Sequence, residues 1–74
     1  MNKREEMLEG RFEKALTLMH KGEFENSLQI FDAIYQERPD SKLAAQALFH
    51  QGEILNESLG RYQEALVSYL QLLK

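Results

Sequence analysis

Two stretches of the 74-residue chain, HKGE at 20–23 and HQGE at 50–53, place a histidine three residues before a glutamate. On a helix that spacing sets imidazole and carboxylate on one face, and paired His/Glu motifs of this kind hold two metal ions in some helical bundles. A working centre also needs inward-facing carboxylates from the neighbouring helices, and the apolar stripes of this chain carry none. His20 moreover ends a helical segment whereas His50 lies inside one, so the two motifs are not equivalent. The expectation is a pair of surface histidines, with no metal and no other cofactor. Nucleophilic catalysis needs a base within hydrogen-bond reach of the nucleophile, yet no serine, histidine and acid share a helical face. The serines fit caps and packing positions, and no glycine-rich phosphate loop is present. The chain reads as a non-enzyme.

Composition narrows the remaining classes. With 43% hydrophobic and 28% charged residues and a single proline, the chain is that of a folded helical domain rather than a disordered one. A net charge of −3, with both signs interspersed, lacks the basic footprint of a nucleic-acid binder. There is no cysteine, so neither disulfides nor thiolate metal sites support so small a core. No apolar run approaches the roughly 18 residues of a membrane span. The polar opening, MNKREEMLEG, has no apolar secretory stretch, which fits a cytosolic chain or the interior of a longer one.

Four helices are expected. Leu8, Phe12, Ala15, Leu16 and Met19 recur at helical spacing in a first helix over 3–20. Phe24, Leu28, Phe31, Ile34 and Tyr35 do so in a second, which Pro39 stops near residue 37. Asp40 or Ser41 caps a third helix over 42–57, rich in small residues (Ala44, Ala45, Ala47, Gly52). A fourth runs from Tyr62 to the last residue with no stop signal. Short connections make neighbouring helices antiparallel.

The second and fourth helices repeat one pattern. GEFENSLQIFD at 22–32 and GRYQEALVSYL at 60–70 align Gly22 with Gly60, Phe24 with Tyr62, Ser27 with Ala65, Leu28 with Leu66 and Phe31 with Tyr69, always 38 residues apart. Small residues, Ala15 and Gly52, stand on the helix before each glycine, where they let two backbones approach. Together with Leu18, Ile34, Pro39, Leu55 and Leu72, this pattern resembles the tetratricopeptide repeat, a helix–turn–helix unit of about 34 residues that stacks into a superhelix. The segment PDSKLAAQALFHQGEIL is further similar to longer repeats of bacterial envelope-assembly scaffolds, which would place a longer chain in that compartment. There are departures. The early large aromatic of the first helix is absent at Arg11, with Phe12 one place later. Gly52 precedes Gly60 by eight residues where Ala15 precedes Gly22 by seven, so the third helix or its turn carries one extra residue.

The resemblance implies an all-α fold of two stacked antiparallel hairpins, a fragment of an α-solenoid. It divides the single domain of residues 1–74 into a first repeat over 3–38 and a second over 41–74. It also implies a non-enzymatic scaffold that presents a surface to a protein or peptide. The first helix of each pair lines the concave face, here Glu9, Phe12, Leu16, Met19 and His20, then Gln46, Phe49, Glu53 and Asn56. For Phe12, Leu16 and Met19 ordinary core is the competing assignment. The basic and amide positions with which one subtype grips C-terminal carboxylates are filled by Phe12, Leu16, Gln46, His50 and Glu53, so an apolar or basic peptide suits this groove better.

A second reading comes from a difference between the two copies. The 38-residue offset sets Val67, Leu70 and Leu73 against Gln29, Asp32 and Tyr35, so the last helix is apolar where its counterpart is polar. End repeats normally close with a polar face. A further repeat or another chain is therefore expected to cover these residues, and a two-fold dimer through the C-terminal helix is the expected state of the isolated chain.

Overall fold

The computed structural model describes residues 3–74. Four helices follow in order: α1 (Lys3–His20), α2 (Phe24–Glu37), α3 (Lys42–Glu53) and α4 (Tyr62–Leu72). One turn of π-helix, Ile54–Ser58, continues α3 without a break. Among the described residues there is no strand. The helices form two antiparallel hairpins, α1–α2 and α3–α4, and α3 lies against α2, so that the hairpins stack.

Local chemistry sets each boundary. Gly22 and Gly60 have φ of +83° and +66°, the left-handed conformation that a side chain disfavours, and each reverses the chain before a second helix. Pro39 ends α2 by excluding helical geometry at Arg38, whose φ is −139°. Ser41 caps α3, its Oγ accepting a 3.0 Å bond from the Ala44 amide while donating to the Arg38 carbonyl at 2.7 Å.

The core lies between the two hairpins. Leu8, Ala15, Phe31, Ile34, Ala47 and Ile54 form one buried cluster, flanked by Phe12, Leu16, Met19, Phe24, Leu28 and Leu43. Within the first hairpin the buried Ser27 hydroxyl donates to the Ala15 carbonyl at 2.8 Å, which holds α1 and α2 close. In the second hairpin the Tyr69 ring lies over Gly52, where a methyl group would overlap it.

Three sequence expectations are corrected. The third helix does not continue as α-helix to 57. The residue in excess between Gly52 and Gly60 is absorbed by the wider π turn, whose Leu59 amide bonds the Ile54 carbonyl at 2.9 Å. The fourth helix stops at Leu72, not at the chain's last residue. His50 is half-buried rather than freely exposed, because its ring is stacked on the buried Phe31 with centroids 5.5 Å apart.

Candidate functional site: a groove and an open helix face

The first helices of the two hairpins, α1 and α3, lie side by side and leave a groove between them. Helical spacing puts Glu9, Phe12, Leu16 and Met19 along one wall and Gln46, Phe49 and Glu53 along the other. At one end Leu8, Glu9, Leu43 and Gln46 surround a hollow of about 310 Å³, with Arg38 and Lys42 on its rim. At the other end Met19 and Glu53 meet Ile54, Glu57 and Ser58 of the π turn. Between them four rings cluster: Phe12 points its edge at Phe31 at 5.5 Å, His50 stacks on Phe31, and Phe49 stands edge-on to His50 at 5.7 Å. The His50 Nδ1 lies 2.9 Å from the Glu53 carboxylate, which fixes the ring's tilt.

The residues expected on this face therefore fare differently. Phe12, Leu16 and Met19 are half-buried and pack against the core, serving the fold as well as the groove's floor. Gln46 is exposed at the mouth and Glu53 half-buried at the far end. Phe49 keeps 46% of its surface in water. Glu9 and His20 are exposed, and Asn56 faces water on the π turn. Arg38, Lys42 and Leu43 were missed by sequence reasoning. Leu43 lies three residues before Gln46, a helical step that could have revealed it.

The two His-x-x-Glu motifs are far from equivalent. His20 is exposed at the end of α1, while His50 sits in the ring cluster. Among the described residues no group of three His, Cys, Asp or Glu side chains is placed to hold a metal ion.

The second surface is α4. Val67, Leu70 and Leu73 are exposed by 57, 51 and 83%, and so are Tyr62 by 67% and Leu66 by 56%. These do not form a single line. Successive steps of three residues turn by about 60° around a helix. Val67 accordingly overhangs the furrow between α2 and α4 beside Asp32, Tyr35 and Gln51. Tyr62, Leu66, Leu70 and Leu73 follow one another at i, i+4, i+8 and i+11, a single stripe. The corresponding positions of α2 show what such a stripe normally meets. Phe24, Leu28 and Tyr35 are half-buried, the first two packed against the core, while Asp32, the counterpart of Leu70, is polar and exposed. Sequence reasoning assigned Tyr62 and Leu66 to the repeat pattern and did not place them on the open face.

A cluster of ion pairs lies at the hairpin junction. Arg61, just before α4, pairs with Glu64 of its own first turn and with Glu25 in the first turn of α2. The hydrogen bonds from Arg61 hold the Glu64 carboxyl below its ordinary range. No helix among the described residues is long and apolar enough to cross a membrane.

Compared with models of protein families, residues 46–74 match the tetratricopeptide repeat. Comparisons with curated proteins and with solved structures give no match. The matched segment runs from the middle of α3 through the π turn to the end of the chain, and includes the Gly52–Tyr69 contact, the left-handed Gly60 and the buried Ala65. The first hairpin carries similar features at Ala15, Gly22 and Ser27, and residues 46–74 thus match a tetratricopeptide repeat, a hairpin of a kind that generally serves as a protein-interaction module.

Proposed function

We propose that the protein is a non-enzymatic scaffold that binds a protein or peptide segment in the groove between α1 and α3. The observation that carries this reading is Phe49, a large apolar side chain left half in water on α3, one helical turn from Gln46, which lines the hollow with Leu8 and Leu43. Aromatic side chains at the centre of a groove, ringed by polar groups, are the usual anchors of binding energy. Gln46 and Glu53 flank Phe49 one turn to either side. An apolar or basic peptide fits that lining, with Glu9 and Glu53 to meet a cation.

Peptides selected from a random library against the protein test this. Phe49→Ala should weaken the selected peptides by about tenfold. Because Phe49 is half-exposed, the thermal melt should hardly move. Undiminished affinity would place the binding surface elsewhere.

A second reading, favoured by the open stripe of α4, is that copies of the chain associate through the C-terminal helix. Val67, Leu70 and Leu73 are all exposed, and Tyr62 and Leu66 enlarge the apolar area. The double variant Val67→Gln, Leu70→Asp gives the helix the residue types found at 29 and 32. Light scattering should show the parent as an oligomer and the variant shifted toward monomer with its helicity kept. A parent that stays monomeric at high micromolar concentration removes this reading.

A further inference from the structure

A second copy could cover α4 in two ways: head to tail, with the α1 of the next copy, or by a two-fold contact of α4 with α4. The stacking inside the chain shows what a head-to-tail contact requires. The side chains of α3 and its π turn that cover α2 are Ala47, His50, Gln51 and Ile54. His50 stacks on Phe31, the Gln51 amide donates to the Leu28 carbonyl at 3.4 Å, and Ala47 and Ile54 complete the buried cluster. Matching Ala15 to Gly52, the equivalent positions of α1 are Gly10, Glu13, Lys14 and Thr17. All four are exposed, and apart from Met7 that side of α1 presents no large apolar group. A head-to-tail contact would therefore bury Glu13 and Lys14 against leucines, and such charges are costly to bury unpaired. The α1 end of the molecule is polar; the α4 end is not.

The stripe on α4 is instead complementary to itself. From the self-association reading above, on which this rests, we propose that α4 packs antiparallel against the α4 of a second copy. The two-fold axis crosses between Leu66 and Leu70. Tyr62 of one copy then meets Leu73 of the other, and Leu66 meets Leu70. Both ends of the stripe are filled by the same pairing, as an isologous contact demands. The parallel alternative sets Tyr62 against Tyr62 and brings the two Arg61–Glu25–Glu64 clusters to one end, with the helix dipoles aligned rather than opposed. Val67 stays outside the contact, over the α2–α4 furrow.

Size fixes the class of dimer. An exposed apolar patch of this kind measures about 300–600 Å². Two copies then bury about 600–1,200 Å² in total, below the standard interface and in the range of weak, exchangeable complexes.

Because the chain has no cysteine, single substitutions report the arrangement directly. Tyr62 and Leu73 are 11 residues apart, about 16 Å along the helix. In the antiparallel dimer the two Tyr62 positions are separated by that length, beyond the roughly 7 Å reach of a disulfide between Cα atoms. Under mild oxidation at high micromolar concentration, Tyr62→Cys mixed with Leu73→Cys should give linked pairs about tenfold faster than Tyr62→Cys alone or Val67→Cys alone. Circular dichroism confirms that each variant is folded. Rapid linking of Tyr62→Cys with itself would overturn the antiparallel geometry, and rapid linking of Val67→Cys the assignment of the face. In either case self-association itself would stand. A parent that scatters as a monomer at these concentrations removes both, and leaves peptide binding in the α1–α3 groove untouched.

Discussion

Gly22 sits at φ +83° with no heavy atom within 4 Å of where a Cβ would stand, so what a side chain costs there is conformational and not steric. Gly22→Val should destabilise the protein by about 1–2 kcal/mol, read from its denaturant midpoint; equal stability would mean the turn can reverse in another way. Gly52 is the opposite case. Its backbone is helical, yet a methyl group would meet the Tyr69 ring, so Gly52→Ala should cost about 1–3 kcal/mol despite alanine's better helix propensity. A stabilised variant would show that the ring moves aside freely. Both glycines were legible from their recurrence and their place before or within a helix. Phe31 was legible as core, and Phe31→Ala should cost about 3–5 kcal/mol. Its counterpart Tyr69 is half-buried, because no helix covers α4 as α3 covers α2, so Tyr69→Ala should cost less than Phe31→Ala. Two features of the core, one hydrogen bond and one ring stack, were not legible. Ser27 reads as merely small, and its bond to the Ala15 carbonyl depends on the approach of two backbones. His50 reads as polar, and only the stacking of hairpins brings its ring over Phe31.

At the scale of elements, helix order and starts followed from periodicity, Pro39 and the glycines, while the ends of α3 and α4 did not. The spacing from Gly52 to Gly60 showed one residue too many, but periodicity cannot say whether a loop or a helix absorbs it. The structure assigns it to the π turn, whose Asn56, Glu57 and Ser58 are exposed. The first hairpin makes the same connection with Gly22 only seven positions after Ala15, so the extra residue is not required by the fold. Deleting Glu57 should leave a cooperative melt with unchanged helix content by circular dichroism. Loss of cooperativity would mean that the π turn positions α4 in a way that a regular turn cannot. Arg61 contributes a smaller tie by joining the α4 entrance to Glu25 of α2. Glu64 is held below its ordinary range chiefly by its hydrogen bonds from Arg61, so this contribution is present above the unfolded glutamate pKa and is lost as pH falls through the depressed value. Both groups are open to water and salt screens them, so Glu64→Gln should alter the acid limb of the stability profile only slightly.

For the whole molecule, shape and surface return the argument to α4. The fold spans 37 × 30 × 12 Å, a slab so thin that a helix on its edge has neighbours on one side only. Its accessible surface is 5076 Å², whereas a compact monomer of 8.7 kDa exposes about 4,700 Å². The excess, a few hundred Å², is of the order of one apolar patch. A chain of this length has little stability in reserve, so covering that patch should register in the melt as well as in the mass. Association that involves only the folded chain stabilises it by mass action, and the midpoint then rises with concentration. The melting midpoint of the parent should climb by several degrees from low to high micromolar concentration, since about 1 kcal/mol moves a domain of this size by roughly 4–8 °C. Leu66→Asp with Leu70→Asp places a charge at both central contacts of the dimer and removes no buried side chain, because both leucines are more than half exposed. That variant should melt at the parent's dilute midpoint at every concentration. A parent midpoint independent of concentration would mean that α4 stands open in the folded protein, and that its apolar stripe awaits a different chain.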